Sequence, residues 1–279
     1  MKILIVLLRL NGGVGRANIE IAQELRKRGH EVDILSREDD LKKYSLNKGF
    51  FLIRNKIRQL MNEKNYNIIY TQDYSCSLPL LFPYPIFWKR HFCCFCGVKT
   101  TEDMEFFQGS YKSRFSYYYH IFLHRTIGKI MGKKLIVIGD RLKEMFPKST
   151  LIYRGVNLNK FKPLRKKRTH LGWYSSDNEI ISIKDIQKIS NEVNLDLLVA
   201  KNISKDNMNK FYNTCQVFIN LPRTAGFNLS WLEAMAAGTP IIIGNNKGAG
   251  AIIPISKISN KINIVKEILS IIKNSKKIN

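Results

Sequence analysis

The residues best placed to do chemistry lie in one run. Val217-Phe218-Ile219-Asn220-Leu221-Pro222 is followed by Gly226-Phe227-Asn228-Leu229-Ser230-Trp231-Leu232-Glu233-Ala234-Met235-Ala236-Ala237-Gly238-Thr239-Pro240. The pattern is a strand, a glycine-bearing loop, a helix, a glycine stop and a strand opened by proline. A helix that begins at Asn228 or Leu229 presents N–H groups without intrahelical partners at the positive end of its dipole, which suits a diphosphate. Glu233 lies about one turn in, where its carboxylate can accept the two hydroxyls of a ribose. An ordinary strand–helix crossover with a glycine cap accounts for Ala, Met and Gly here, but not for the whole string in order.

A second glycine turn follows the first strand. Asn11-Gly12-Gly13-Val14-Gly15 leads into Arg16 and a helix. It is not a dinucleotide fingerprint, because Asn18 stands where glycine or alanine is needed. Cys93, Cys94 and Cys96 near His91 suggest a metal. On a strand, however, Cys94 and Cys96 face one way and Cys93 the other. Zinc sites bring two separated ligand pairs together, and no second pair is evident. The reading is small buried residues and no metal. His91, His120 and His124 receive no catalytic role.

These groups need elements to hold them. Ile3–Leu8 is a continuous apolar run, as in a strand covered on both faces. Arg16–Arg28 has helical spacing through Ile19, Ala22 and Leu25, and Gly29 stops it. Val32–Leu35 is the next strand, so the unit is βαβ and its sheet parallel. The series continues with a helix over Ile53–Glu63 and strands over Ile68–Thr71 and Phe92–Phe95. A Tyr- and Phe-rich helix over Phe115–Met131, a strand over Leu135–Ile138 and a short helix over Arg141–Phe146 complete a first domain. Leu78–Trp88, interrupted by Pro79, Pro83 and Pro85, is expected to be a buried strand-and-turn region, with a membrane-dipping segment as the alternative.

Tyr153–His170 changes character, with Gly155, Pro163 and a basic run, and is expected to be the junction. Helices over Ile186–Val193, Lys205–Thr214 and Leu229–Ala237 then alternate with strands over Leu195–Ala200, Val217–Asn220 and Pro240–Ile243. Ile262–Ile272 closes the chain as an amphipathic helix. The expected domains are 1–153 and 154–262, followed by the closing helix and tail, 263–279. The length of 279 residues suits two domains of roughly 100–150 residues each.

The net charge is +24 with a pI near 9.9, a field that attracts nucleic acid, anionic headgroups or phosphorylated substrates. Five cysteines, an odd count, and a start at Met1 that leads directly into a strand point to a reducing cytoplasm. No apolar run is long enough to span a bilayer. Tyr111–Lys134 interleaves aromatic and basic residues. Such a helix can lie on an anionic bilayer, or it can be a core helix with a solvated basic side. Nucleic acid is the less favoured partner, because no recognition motif accompanies the charge.

Gly226–Pro240 resembles the donor-site signature of family 4 (group 1) GT-B glycosyltransferases, Glu-Gly-Phe-Gly followed by Leu-Glu-Ala-Met-Ala-x-Gly-x-Pro. Asn11–Gly15 with Gly29-His30-Glu31-Val32 resembles the family's N-terminal start. Arg154-Gly155-Val156-Asn157 with Phe161 and Pro163 resembles its interdomain Asn-Gly-Val-Asp…Phe-x-Pro. The three matches occur in order and span nearly the whole chain. The resemblance implies an α/β, GT-B chain: two Rossmann-like domains with an interdomain cleft and a closing helix that packs back toward the first domain. It implies a nucleotide-sugar donor as substrate, no cofactor or metal, and transfer to an acceptor hydroxyl with retention. The acceptor would be lipid-linked or a surface glycan, and the site of action the cytoplasm or the inner membrane surface. Donor binding would fall to Gly226, Phe227, Asn228, Leu229 and Glu233. Gly12, Gly13, Gly15 and Arg16 would form the cleft loop with Cys96.

Three positions depart from the family. Ala225 stands where the first of two glutamates, separated from Glu233 by seven residues, belongs. Cys96 stands in place of a common histidine. The Arg and Lys expected after the second domain's first strand reduce to Lys184, with Arg223 as a substitute cation. The alternative these departures support is a non-catalytic nucleotide-sugar-binding or scaffold protein on the same fold.

Overall fold

A computed structural model describes residues 1–40, 46–97, 114–174, 182–201, 203–221, 228–243 and 265–273 apart from 267 and 272. The chain divides into two compact units, Met1–Tyr153 and Arg154–Asn279.

The first unit is a six-stranded parallel sheet in the order β2-β1-β3-β4-β5-β6. Its strands are β1 (Lys2–Leu7), β2 (Glu31–Ser36), β3 (Ile68–Gln72), β4 (His91–Phe95), β5 (Leu135–Val137) and β6 (Thr150–Leu151). The described helices are α1 (Gly12–Lys27), α2 (Arg37–Asp40), α3 (Leu46–Lys64), α4 (Tyr74–Leu81), α5 (Arg114–Met131) and α6 (Asp140–Met145). Five consecutive residues of β1 are buried, because helices cover both sheet faces. Leu4 and Val6 pack with Ile53, Ile57 and Leu80 on one side. Ile3, Ile5 and Leu7 pack with Ala22 and Val32 on the other. This alternation is the strand's period of two applied to a doubly covered sheet.

Three expectations change here. The glycine turn is itself the start of α1, with Asn11 as its N-cap. α3 begins at Leu46, seven residues before the expected start at Ile53. Leu78–Trp88 is not a strand and turn: its first part belongs to α4. Asp73 starts that helix by accepting from the Tyr74 N–H at 2.6 Å. Arg54 marks its end, donating to the carbonyls of Pro79 at 2.6 Å, Phe82 at 2.8 Å and Tyr84 at 2.9 Å. Seven of the eight residues of α4 are buried. A helix covered on all sides has no amphipathic period to read.

The second unit is a four-stranded parallel sheet in the order β10-β9-β7-β8. Its strands are β7 (His170–Tyr174), β8 (Asp196–Ala200), β9 (Cys215–Asn220) and β10 (Ile241–Ile243). Between them run α7 (Ile183–Glu192), α8 (Lys205–Thr214) and α9 (Leu229–Ala236). Numbered from its own first strand, this order is 2-1-3-4, the same as the first four strands of the first unit. Gly172 is required by close packing, since a Cβ there would lie 2.4 Å from the Cys215 Sγ.

The basic junction is tied to the second unit. Asn213 accepts from the Leu164 N–H at 2.6 Å and donates to the Lys162 carbonyl at 3.0 Å. Phe161 is buried with Tyr212 and Phe218. The closing segment 265–273 belongs to the second unit. Ile268 is fully buried in the second unit's own core beside Leu171, Trp173 and Ile242, with Val265 and Ile271 against the same cluster.

Candidate active site

In a doubly wound parallel sheet, ligands bind outside the carboxyl ends of the strands where the strand order reverses. In the second unit this point lies between β7 and β9, at Tyr174 and Asn220. In the first it lies between β1 and β3, at Leu7 and Gln72.

At the second unit's reversal point, Asn220 ends β9 and is 2% exposed. Its Oδ1 accepts from the Trp231 Nε1–H at 2.7 Å, the Asn228 side-chain amide at 3.1 Å and the Ser230 hydroxyl at 3.4 Å. One amide oxygen thus gathers the first turn of α9 onto the strand end. Asn228 is the N-cap residue, yet its side chain accepts from no helix N–H. The amide is turned toward Asn220, so among the described residues the leading N–H groups of α9 carry no side-chain cap, an arrangement suited to an anion.

The other end of α9 is pinned as well. The Arg168 guanidinium donates to the Ala237 carbonyl and to the Thr239 hydroxyl, both at 2.7 Å. The Thr239 hydroxyl donates to the Tyr212 carbonyl at 2.7 Å. Between the ends, the Tyr212 hydroxyl donates to the Glu233 Oε2 at 2.9 Å. Burial, with the Glu233 charge next, pushes the Tyr212 phenol well above its ordinary range. It therefore stays protonated and donates to Glu233. Glu233 is half-buried in a fixed orientation, one helical turn from the uncapped N–H groups.

Leu229 and Asn228 lie at this helix start. Lys184 is exposed in the first turn of α7, which Ser182 caps by accepting from the Asp185 N–H. Arg223, Gly226 and Phe227 lie outside the described residues, as does Ala225. Asn220, Tyr212, Thr239 and Arg168 are the supporting residues to which sequence reasoning gave no role. The signal for two of them was available: an asparagine closing an otherwise apolar strand, and a tyrosine inside the helix before it.

At the first unit's reversal point, Gly12 opens α1 with φ +85°. Gly13 and Arg16 are exposed on the same turn. Gly15 is buried, and a Cβ there would lie 2.2 Å from the Leu10 carbonyl oxygen and 2.6 Å from that of Arg9. Neither backbone oxygen can move aside as a flexible side chain could. Gly15→Ala is therefore expected to cost about 1–3 kcal/mol in denaturant melts. Gly13→Ala, which meets nothing within 4 Å, serves as the control with an unchanged midpoint.

Behind this turn, Asn18 donates to the Gln72 Oε1 at 3.0 Å, and Gln72 donates to the Cys94 carbonyl and toward the Cys96 Sγ, each at 3.0 Å. Cys96 is thus brought to the same strand ends as the glycine turn. Asp73 follows at φ +69°, a backbone region sparsely populated by residues other than glycine. Its Oδ1 lies 3.4 Å from the Nε2 of buried His124, and the Tyr74 hydroxyl bonds the His120 Nδ1. His91 is part of the core. Burial, and then the nearby Lys134 charge, push its pKa down to about 3. All five cysteines are free thiols. Among the described residues no group of three or more His, Cys, Asp or Glu side chains could hold a metal ion.

Residues 181–277 match the profile of the family described as "Glycosyl transferases group 1". No curated protein matches the chain significantly. Solved structures match it over nearly its full length. Sucrose-phosphate synthase from Thermosynechococcus elongatus superposes with a TM-score of 0.73 at 14% identity, over 98% of this chain and 90% of its own. A glycosyltransferase from Rickettsia africae ESF-5 gives 0.65 at 17% identity, over 98% and 88%. The catalytic domain of starch synthase IV from Arabidopsis thaliana, solved with ADP and acarbose, gives 0.61 at 10% identity, over 97% and 92%. At these identities the structures speak for the fold, and the profile for residues 181–277 alone. The chain has the GT-B fold of two Rossmann-like units, and its residues 181–277 are similar to the group 1 glycosyltransferases.

Proposed function

We propose that this chain moves a sugar from a nucleotide-sugar donor to an acceptor hydroxyl, with retention at the anomeric carbon and without a metal ion. The observation that carries the reading is Glu233, held by Tyr212 one turn behind the uncapped start of α9. A carboxylate at that depth takes the ribose hydroxyls while the leading N–H groups take the diphosphate. In the transfer, the bond from the anomeric carbon to the phosphate oxygen breaks. The acceptor oxygen bonds to the same face of that carbon, and its proton passes to the departing diphosphate. The protein's contribution is electrostatic: N–H groups and cations oppose the charge growing on the leaving group. Lys184 and Arg223 are the cations assigned to this task. Gly12, Gly13, Gly15, Arg16 and Cys96 belong to the acceptor side. The acceptor is a lipid-linked or surface glycan, met in the cytoplasm at the inner face of a membrane.

A second reading, donor binding without turnover, is favoured by Ala225 in place of the first glutamate. The two separate in an assay of nucleoside diphosphate release over a panel of uridine-, guanosine- and adenosine-diphosphate sugars, with and without added membranes. Release above background with one donor is the expected result. Saturable binding of a donor with no release from any member establishes the second reading instead.

A further inference from the structure

We propose that the outward face of α5 is a docking surface for an anionic lipid bilayer. This goes beyond the membrane setting of the proposed function by naming the surface, and it does not depend on the sugar chemistry. α5 has two unlike sides. Tyr117, Ile121, His124, Ile127, Gly128 and Met131 are buried against the unit. Phe115 is 80% exposed, Phe122 63%, Tyr119 51% and Tyr118 47%. Positions 115, 118, 119 and 122 share one helical face, and Arg125 and Lys129 continue that stripe into the last two turns. Both are exposed, as is Lys133 just beyond the helix. Between Arg114 and Lys134 there is no Asp or Glu.

Charge decides among occupants. A second copy brings the same acid-free, basic stripe, on a chain of net charge +24. Self-association by this stripe therefore opposes itself. An anionic headgroup layer complements the cations. The aromatic rings are the side chains that enter the interface between headgroups and acyl chains. The stripe is divided lengthwise, rings in the first half and cations in the second, so both contributions come from one helix. On the opposite side of α5, His120 and His124 touch Tyr74 and Asp73 at the carboxyl end of β3. A bilayer on the outer side would thus lie about one helix diameter, roughly 10 Å, from the first unit's strand-reversal point.

Co-sedimentation of the full chain with vesicles of phosphatidylcholine, alone or mixed with phosphatidylglycerol, tests this. Phe115→Ser/Phe122→Ser and Arg125→Glu/Lys129→Glu are compared with the unmodified chain, and all four sites are exposed. Binding to the mixed vesicles only is expected, weakened at least about tenfold by either double substitution, at unchanged melting temperature. Three results would overturn the proposal. One is binding that both variants retain, which assigns the vesicles to another surface. The second is binding lost with the charges but untouched by removal of the rings, which makes it diffuse attraction. The third is absence of vesicle binding alongside ring-dependent retention on poly(U), which assigns the stripe to single-stranded nucleic acid.

Discussion

Glu233→Ala is expected to lower affinity for the nucleoside diphosphate at least tenfold, about 1.4 kcal/mol, by calorimetry. The ligand for this measurement is whichever of UDP, GDP or ADP gives the largest thermal shift. The physical case rests on orientation. Glu233 sits past the first turn of α9, and one of its oxygens is already taken by Tyr212 at 2.9 Å. The bond fixes the plane of the carboxylate before ligand arrives, which lowers the cost of ordering it on binding. Removing the carboxylate also takes the acceptor from a buried phenol, so Glu233→Ala alone confounds binding with stability. Glu233→Gln separates them: the amide oxygen still accepts from Tyr212, but the charge is gone. Its melting temperature should stay near that of the unmodified chain while affinity falls. Tyr212→Phe keeps the charge and removes the orienting donor, so a smaller loss, about threefold to fivefold, is expected from the weakening of one hydrogen bond to a charged group. Affinity unchanged in Glu233→Ala would remove Glu233 from the donor site.

Elements with a strong period or a strong punctuation were readable in advance. The all-apolar β1 announced a sheet covered on both sides. The string from Leu229 to Pro240 announced a helix, a glycine stop at φ +69° and a following strand. α4 was not readable, because burial on every side erases the period that marks a helix, and its internal Pro79 argued against one. The glycine turn was half readable. Its glycines were visible, but their membership of α1 depends on the approach of Gly15 to the Leu10 backbone, a contact no local pattern encodes. The same limit explains the candidate site. Glu233 and the helix start belong to one continuous string. Tyr212 and Arg168 are brought to it by the fold, and the Arg168–Thr239 contact spans 71 positions in sequence. A string shows which groups could touch a ligand; the fold shows which groups hold them still.

Asn220 carries the other large effect. Its Oδ1 is the shared acceptor for three donors of the α9 start, and the shortest contact is from the indole of Trp231, itself fully buried. Asn220→Ala withdraws that acceptor from inside the protein, where a buried polar group that loses its partner costs about 1–3 kcal/mol. For a unit of this size the melting temperature should fall by about 5–10 °C. The nucleotide site should weaken with it, because the first turn of α9 is then no longer drawn onto β9. Trp231→Phe removes the principal donor while keeping most of the ring volume. If the bond organises the helix start, the two substitutions are not independent. The double variant should then be more stable than the sum of the single losses predicts, by about 1 kcal/mol or more in a double-mutant cycle. Strict additivity would show that Asn220 and Trp231 contribute separately. The uncapped N–H groups would then be set by the backbone of α9 alone.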